Sequence, residues 1–349
     1  GCTGGSGDGG DGGDGGDGGG DGGDGGGGST STPEPSLQEK AQEEGFANIV
    51  AAASNTAPFF KEQLANEIGI SVGYQFKDFA KSATQIVQEY QANKVSIDMS
   101  GSATTGDPLT LLELANQEYL REIPQDIFDS DTYAAKPLVG GRGAHVGYGK
   151  ALTMLYNKDN VSSPPTNLDE LFSSQWKGKV GVDVRDSEFV PAARKVMDSE
   201  DEVQQFISNL GEWATPYSSH FDMGKAIARG EIPLGITYVK YSNYEWGGPL
   251  AEASIEGFPT TAGISTFWLT AKAPHPNAAE LALRYTTDNS NWINYYKGVA
   301  GENVYFTFDE VESGDFDPDK NFIAFPSVMQ DLDPEAIESD WHGWTGFAE

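Results

Sequence analysis

Through most of this chain, short apolar runs alternate with amphipathic segments of helical periodicity, and this alternation restricts the fold more than any other feature. Strand-like runs lie at 47–53, 72–76 and 95–99, and helical patterns lie between them at 59–68 and 82–91. A strand that is followed by a helix and then by another strand forms a parallel βαβ unit. The sequence therefore predicts an α/β fold with a largely parallel sheet.

The same alternation continues in a second unit that begins near Ala144. Its strand-like runs lie at 151–156, 180–184, 232–238 and 264–270, with helical patterns between them. Two successive units of this kind contain too many strands and helices for one small hydrophobic core. They indicate a protein with two α/β parts.

The charge balance excludes several classes of partner. The chain has 53 acidic and 22 basic residues, a net charge of −31, and six aspartates lie in the first 28 residues, which leaves −31 + 6 = −25 on the rest. Such a charge repels nucleic acid and anionic membrane surfaces, so neither is expected as a partner. It favours a protein that works in concentrated salt, where self-repulsion is screened, and we expect a halophilic, acidic surface.

Residues 4–35 have no side chains with which to build a core. A Gly-Gly-Asp repeat fills residues 4–28, and a Ser-, Thr- and Pro-rich stretch follows. Such a segment is a flexible coil that its own charges extend. The alternative, a calcium-binding β-helix, requires a nine-residue period with recurring apolar residues, whereas the period here is three.

The only cysteine is Cys2, so neither an internal disulfide nor a thiolate zinc cluster can form. Gly1-Cys2 resembles the end of a lipobox, in which the cysteine receives lipid. We therefore expect residues 1–40 to be a disordered linker, anchored by lipid on Cys2 at the extracellular face of the membrane.

Several short blocks occur in a characteristic order. They are YN at 156–157, PPTNLDEL at 164–171, WKGKV at 176–180, GEIP at 230–233, AGIS at 262–265 and APHPNAA at 273–279. This order resembles type II periplasmic (extracellular solute-binding) proteins of ABC importers, over about residues 46–300. The nearest group binds ferric ion, thiamine, polyamines and phosphonates.

The resemblance implies two lobes joined by a hinge of crossing strands, with the ligand between them. Lobe one would comprise 44–143 and 262–310, lobe two 144–261, and the C-terminal segment 311–349 would dock on the surface. The resemblance also implies a monomer that works with the permease and ATPase subunits of an importer and is not an enzyme.

In open α/β sheets, ligands bind beyond the carboxyl ends of the strands. Two loops of lobe one fit this position, and both precede helix N-termini, which favour an anion. The same hydroxyl groups could instead be ordinary helix caps. The candidate ligand-binding residues are Ser54 and Asn55 after the first strand, Ser100 and Ser102 after the third, and Ser187 and Trp246 in lobe two.

Tyrosines mark a second candidate site. Tyr238, Tyr241 and Tyr244 recur every three residues after a strand, and Tyr156 ends another strand of the same lobe. Phenolate oxygens are hard donors that suit Fe(III), whose charge lowers the pKa of a bound tyrosine. These four residues are therefore candidate metal ligands for ferric iron as the transported solute. An anion on the Ser54 or Ser100 loop would complete the metal shell.

The ferric-binding relatives have two adjacent tyrosines after the Gly-Glu block, and the corresponding positions here hold Lys240 and Tyr241. A histidine that follows their first strand is also replaced, by Ser54 and Asn55. An alternative thus stays open, in which the tyrosines and Trp246 form an aromatic wall for a thiamine-like ring or a polyamine, or the cleft binds a phosphonate.

The sequence lacks the features of two other classes of protein. A secreted hydrolase would need a catalytic motif, and the sequence has neither a Gly-x-Ser-x-Gly elbow nor a His-Glu-x-x-His helix. A structural surface protein would show repeated domains, which the sequence does not contain. We therefore predict a protein that is not an enzyme.

Overall fold

A computed structural model describes residues 34–53, 55–77, 79–102, 108–243 and 248–348. Residues Pro35–Glu349 form one compact unit. Several residues singled out above lie outside the described residues: Cys2 with most of the linker, Ser54, Tyr244 and Trp246, together with the side chain of Ser102.

The strands, in chain order, are β1 Phe46–Ala52, β2 Ser71–Phe76, β3 Met99–Ser102, β4 Leu120–Arg121, β5 Lys136–Leu138, β6 Gly143–Lys150, β7 Leu152–Asn157, β8 Val180–Asp183, β9 Ala214–Tyr217, β10 Leu234–Tyr238, β11 Leu250–Glu252, β12 Thr260–Thr270, β13 Tyr305–Phe306 and β14 Asn321–Ile323. In the described part of the chain they form two sheets. The larger has the order β13-β6-β12-β3-β1-β2, with β4 and β14 beside β12 and β5 beside β6. The smaller has the order β11-β7-β10-β8-β9.

The helices are α1 Leu37–Glu44, α2 Ala65–Ile68, α3 Phe79–Gln91, α4 Pro108–Asn116, α5 Asp126–Asp129, α6 Leu168–Leu171, α7 Phe189–Val196, α8 Glu200–Trp213, α9 His220–Ala228, α10 Pro276–Thr287, α11 Asn291–Ala300, α12 Phe308–Ser313, α13 Pro326–Gln330 and α14 Pro334–Thr345. A π-helical segment, Phe59–Leu64, precedes α2, and 3₁₀ turns lie at Val139–Gly141 and Val239–Asn243. Within the described residues, no helix is both long and apolar enough to cross a membrane.

The N-terminal strands confirm the predicted α/β fold. The prediction of a largely parallel sheet is wrong, because β12 pairs antiparallel with β3 and β6, and β7 pairs antiparallel with β10 and β11. Strand β1 pairs in parallel with β2 and with β3, and helical segments connect them. The third strand begins at Met99, later than the sequence pattern indicated. The physical reason is Asp98, whose buried carboxylate accepts hydrogen bonds from the backbone N–H groups of Asn48 (2.7 Å) and His275 (2.8 Å). The N–H of Asn48 thus bonds to a side chain in place of the backbone of the neighbouring strand.

The two sheets are joined where the chain crosses between them. Strand β6 pairs with β12 in the larger sheet, and the chain enters the smaller sheet at Ala151, not at residue 144. Thr261 on β12 holds this crossing, because its carbonyl oxygen accepts the N–H of Ala151 (2.9 Å) and its hydroxyl oxygen accepts the N–H of Leu152 (3.1 Å).

The C-terminal segment, which was predicted to dock on the surface, adds a strand to the larger sheet and packs a helix against the smaller-sheet side. Strand β14 pairs with β12, and α14 packs against α7 and α8 of the smaller-sheet side. Trp341 is fully buried, and its indole N–H donates to the carbonyl oxygen of Val184 (2.7 Å). The contact with α8 is so close that a Cβ at Gly211 would lie 2.1 Å from the carbonyl oxygen of Thr345. Burial of its aromatic side chains draws this segment into the core.

Candidate ligand site at the carboxyl edge of the smaller sheet

The carboxyl ends of β8 and β10 lie at the same edge of the smaller sheet, because the two strands are parallel neighbours. Ligands of open α/β proteins bind at such edges. Beyond β8, residues 183–188 lead into α7, and we call them the 183–188 loop. Beyond β10 follows the 3₁₀ turn Val239–Asn243.

Asp183 and Arg185 form a tight ion pair at the start of this loop. The buried carboxylate of Asp183 accepts hydrogen bonds from the Arg185 guanidinium at 2.9 Å (Nε) and 2.7 Å (Nη2). Burial raises the pKa of Asp183, but the hydrogen bonds and charge of Arg185, together with the charge of His220, outweigh it and hold the pKa below its ordinary value. Asp183 is therefore an ionised, already satisfied carboxylate.

Asp186 and His220 form a second buried pair. His220 begins α9, after Ser219 as N-cap, and its Nε2 lies 2.8 Å from Oδ1 of Asp186. Burial lowers the pKa of His220, but the charge and hydrogen bond of Asp186, together with the charges of Asp183 and Glu188, outweigh it, so the pKa lies above its ordinary value. The other polar atoms of the pair, Oδ2 of Asp186 and Nδ1 of His220, are buried without a hydrogen-bond partner in the structure.

Glu188 links the 183–188 loop to the crossing between the sheets. It stands at the N-cap position of α7 but does not cap the helix. Its carboxylate instead accepts a hydrogen bond from the hydroxyl group of Thr261 (3.3 Å). Burial, and then the charge of Asp186, raises the pKa of Glu188 to about 7.

This raised pKa gives a testable pH dependence. A carboxyl whose pKa is near 7 when folded and near 4.5 when unfolded destabilises the folded state increasingly as pH rises from 4.5 to 7. Glu188→Gln removes this effect, so we expect the variant to exceed the wild type by about 1–3 kcal/mol in unfolding free energy at pH 8 and to match it at pH 4. Urea unfolding at both pH values measures the difference.

The matched control is Glu200→Gln, because Glu200 is exposed and bonded to Arg194. This variant should show no gain at pH 8. Parallel pH profiles for the wild type and Glu188→Gln would contradict the prediction.

Tyr238 and Tyr241 lie together at this edge. Their ring centroids are 5.9 Å apart, and the Tyr238 ring is 4.8 Å from that of His220. Tyr241 is 7% exposed and belongs to the main apolar cluster, which also contains Ile293 and Tyr296 of α11. The structure thus brings together two of the predicted tyrosines.

Lys240 lies between these tyrosines in sequence and in space. Its ammonium nitrogen is 5.0 Å from the ring centroid of Tyr238 and 5.7 Å from that of Tyr241. The residue is 8% exposed, and burial lowers the pKa of Lys240 to about 8. Among the described residues, no carboxylate forms an ion pair with it.

The structure places Tyr156 away from the other tyrosines. Strands β7 and β10 are antiparallel, so Tyr156 is opposite Leu234 while Tyr238 is opposite Leu152. Four residues of strand separate the two positions, which corresponds to roughly 14 Å. Both tyrosines end a strand in the sequence, but the strands run in opposite directions, and this direction was not evident from the sequence.

The remaining predicted residues have varied surroundings. Ser100 is fully buried on β3, and its hydroxyl group donates to the carbonyl oxygen of Val50 (2.9 Å). This hydrogen bond links β3 to β1 within the larger sheet. Asn55 is exposed after β1, with a left-handed φ of 61°. Ser187 is half-buried within the 183–188 loop.

The polar side chains nearest to the tyrosines were not predicted from the sequence. The 183–188 loop could have been found, because Asp183 and Asp186 follow an apolar strand and the carboxyl-edge rule applies there as well. His220 could not, because only the packing of α9 against β8 and β10 brings it to this loop.

The described histidine, aspartate and glutamate side chains include no group of three or more that could hold a metal ion. A metal at this edge would therefore depend on the phenolate oxygens of the tyrosines and on groups other than the described histidine, aspartate and glutamate side chains.

No protein-family model matches the sequence, and no curated protein matches it significantly. Solved structures do match. Iron-bound HitA from Pseudomonas aeruginosa superposes with a TM-score of 0.62 at 13% identity, covering 86% of this chain and 99% of HitA. The periplasmic binding protein AfuA from Actinobacillus pleuropneumoniae, with fructose-6-phosphate bound, gives 0.64 at 15% identity, covering 87% and 99%. The substrate-binding protein of an ABC transporter from Agrobacterium tumefaciens gives 0.65 at 15% identity, covering 86% and 93%.

These similarities establish the fold. The chain has the two-lobed α/β architecture of type II periplasmic binding proteins, with crossing strands between its two sheets. The structures that share this fold bind different ligands, iron in one and a sugar phosphate in another.

Proposed function

We propose that this chain is the extracellular substrate-binding component of an ABC importer. The observation that carries the proposal is the convergence of Tyr238, Tyr241, Lys240 and the Asp186–His220 pair at the carboxyl edge of the smaller sheet. Glu188 and Thr261 connect this edge to the crossing strands, about which such proteins close. Solved proteins with this fold include the substrate-binding protein of an ABC transporter.

We further propose that the chain acts as a monomer with permease and ATPase subunits. The Gly/Asp composition of the linker suits a spacer between a lipid on Cys2 and the folded part.

The proposed solute is ferric iron. Tyr238 and Tyr241 would supply phenolate oxygens, and Tyr244, which lies outside the described residues, is a further candidate. Two tyrosine rings 5.9 Å apart support this assignment, as does the iron-bound relative HitA. Tyr156 has no part in this version of the site because of its position at the far end of β7.

The test is the colour of the iron complex. Ferric citrate added to iron-stripped protein should produce a visible tyrosinate-to-iron charge-transfer band. Tyr241→Phe removes one donor oxygen and keeps the ring, so it should bleach the band. Loss of a residue that only supports the metal ligands typically weakens metal binding about 10- to 100-fold. Loss of a ligand itself should weaken iron binding by more than this.

The matched control is Tyr156→Phe, the same substitution in the same sheet but at the other end of the strands. We expect it to keep the band. A wild type that stays colourless would overturn the iron assignment and leave the binding-protein proposal standing.

The second candidate is an organic or oxyanion solute. The ring faces of Tyr238 and Tyr241 are of the kind that suits a polyamine or a thiamine ring, whereas the Lys240 ammonium that lies over them suits a phosphonate. Such a ligand would raise the melting temperature of the protein by mass action without producing colour. Thiamine, putrescine and a simple phosphonate are the probes to compare with iron.

A further inference from the structure

Lys240 is a buried ammonium group that no carboxylate of the described residues neutralises. Its residue is 8% exposed, and its contacts with charged or aromatic groups, among the described residues, are the faces of Tyr238 and Tyr241. Burying an unpaired charge is costly, and ring faces compensate only a part of that cost.

The acidic side chains nearby are already engaged. Asp183 is held by two hydrogen bonds from Arg185, Asp186 is paired with His220, and Glu188 accepts a hydrogen bond from Thr261. None of these carboxylates forms an ion pair with Lys240, although the 183–188 loop and the 3₁₀ turn share one edge of the sheet. The positive charge of Lys240 is thus left for a group that is not part of the described protein.

We propose that Lys240 is the recognition residue for an anionic oxygen, a carboxylate or a phosphate, that enters the cleft with the transported solute. This inference rests on the proposed binding function and adds a chemical requirement to it. The anionic oxygen belongs either to the solute itself or to an anion that accompanies the metal.

The requirement is strongest for a metal. A trivalent ion and the Lys240 ammonium would place four positive charges around two phenolates, so an anion must enter to balance them. Lys240 locates this anion on the smaller-sheet side, beside the tyrosines, in addition to any contact with the loops of the larger sheet.

The experiment compares Lys240→Met with Lys240→Arg. Methionine fills a similar volume without charge, so the ligand-free Lys240→Met variant should melt at a higher temperature than the wild type, as expected when an uncompensated buried charge is removed. The same variant should lose at least about tenfold in affinity for citrate and phosphate, because a charge-assisted hydrogen bond is lost. Lys240→Arg keeps the charge and should retain that affinity.

Two arms distinguish the sources of the anion. Citrate or phosphate that binds without iron indicates that the solute itself carries the anionic group. Binding only together with ferric iron indicates an accompanying anion.

The control is Lys225→Met, because Lys225 also stacks on a ring, that of the exposed Phe221, at 4.3 Å. We expect no change in anion affinity. A Lys240→Met variant with a lower melting temperature than the wild type and the same anion affinity would overturn the proposal. Lys240 would then have a purely structural role. Failure of every probe to bind the wild type would instead overturn the binding function, and the two failures are therefore distinct.

Discussion

Replacing Trp341 by alanine is expected to lower the free energy of unfolding by about 3–5 kcal/mol, the usual cost of removing a fully buried tryptophan side chain. Trp341 is 0% exposed, and it belongs to the apolar cluster of the smaller sheet together with Val182 and Phe206. Its hydrogen bond to the carbonyl oxygen of Val184 is lost as well. Urea unfolding at constant salt measures the effect.

Trp344→Ala is the matched control, because Trp344 lies on the same helix and is only partly buried. It should cost clearly less than Trp341→Ala. Trp341→Phe keeps most of the apolar volume and should cost about 1 kcal/mol, the net contribution of one hydrogen bond. Equal losses for the two alanine variants would contradict the larger contribution assigned to Trp341.

The Trp341 contact also supports the candidate site. Val184 is the second residue of the 183–188 loop, so α14 holds the backbone from which Arg185 and Asp186 extend. A segment distant in sequence thereby positions the loop, and a Trp341 variant that still folds should bind solute more weakly.

Local patterns predicted those parts of the fold that local physics determines. The apolar runs at 47–53 and 180–184 correspond to β1 and β8, and Pro276 opens α10 as an N-terminal proline should. Strand β6 was missed, because three glycines in Gly143–Lys150 dilute its apolar pattern. It forms because pairing with β12 and β13 stabilises it, and the sequence does not show that pairing.

The candidate site was predictable only in part, for a related reason. Tyr238 and Tyr241 follow one strand, so their proximity is local and could be read from the sequence. The direction of β7 relative to β10 moves Tyr156 away, and packing of α9 brings His220 in. Both are properties of sheet order and helix docking, which single-sequence patterns do not encode.

The melting temperature is expected to rise with salt, by at least about 10 °C between 0.1 M and 2 M NaCl, because the Debye length shortens from about 10 Å to below 3 Å over this range. The net charge of −31 includes about −25 on residues after the Gly/Asp repeat. Several basic side chains are shared between two carboxylates: Arg194 contacts Glu200 and Asp340, and Arg284 contacts Asp126 and Glu280.

Such shared pairs do not balance the excess of acid. The first turn of α8, for example, carries Glu200, Asp201 and Glu202 in succession. Arg194 forms its ion pair in this turn with Glu200. Neighbouring carboxylates repel each other at low salt, and this repulsion decreases when counterions screen it. A parallel series in sucrose, which strengthens apolar burial without screening charge, should stabilise the protein less. A melting temperature that stays flat in NaCl, or that rises equally in sucrose, would show that charge repulsion does not limit the stability of this fold.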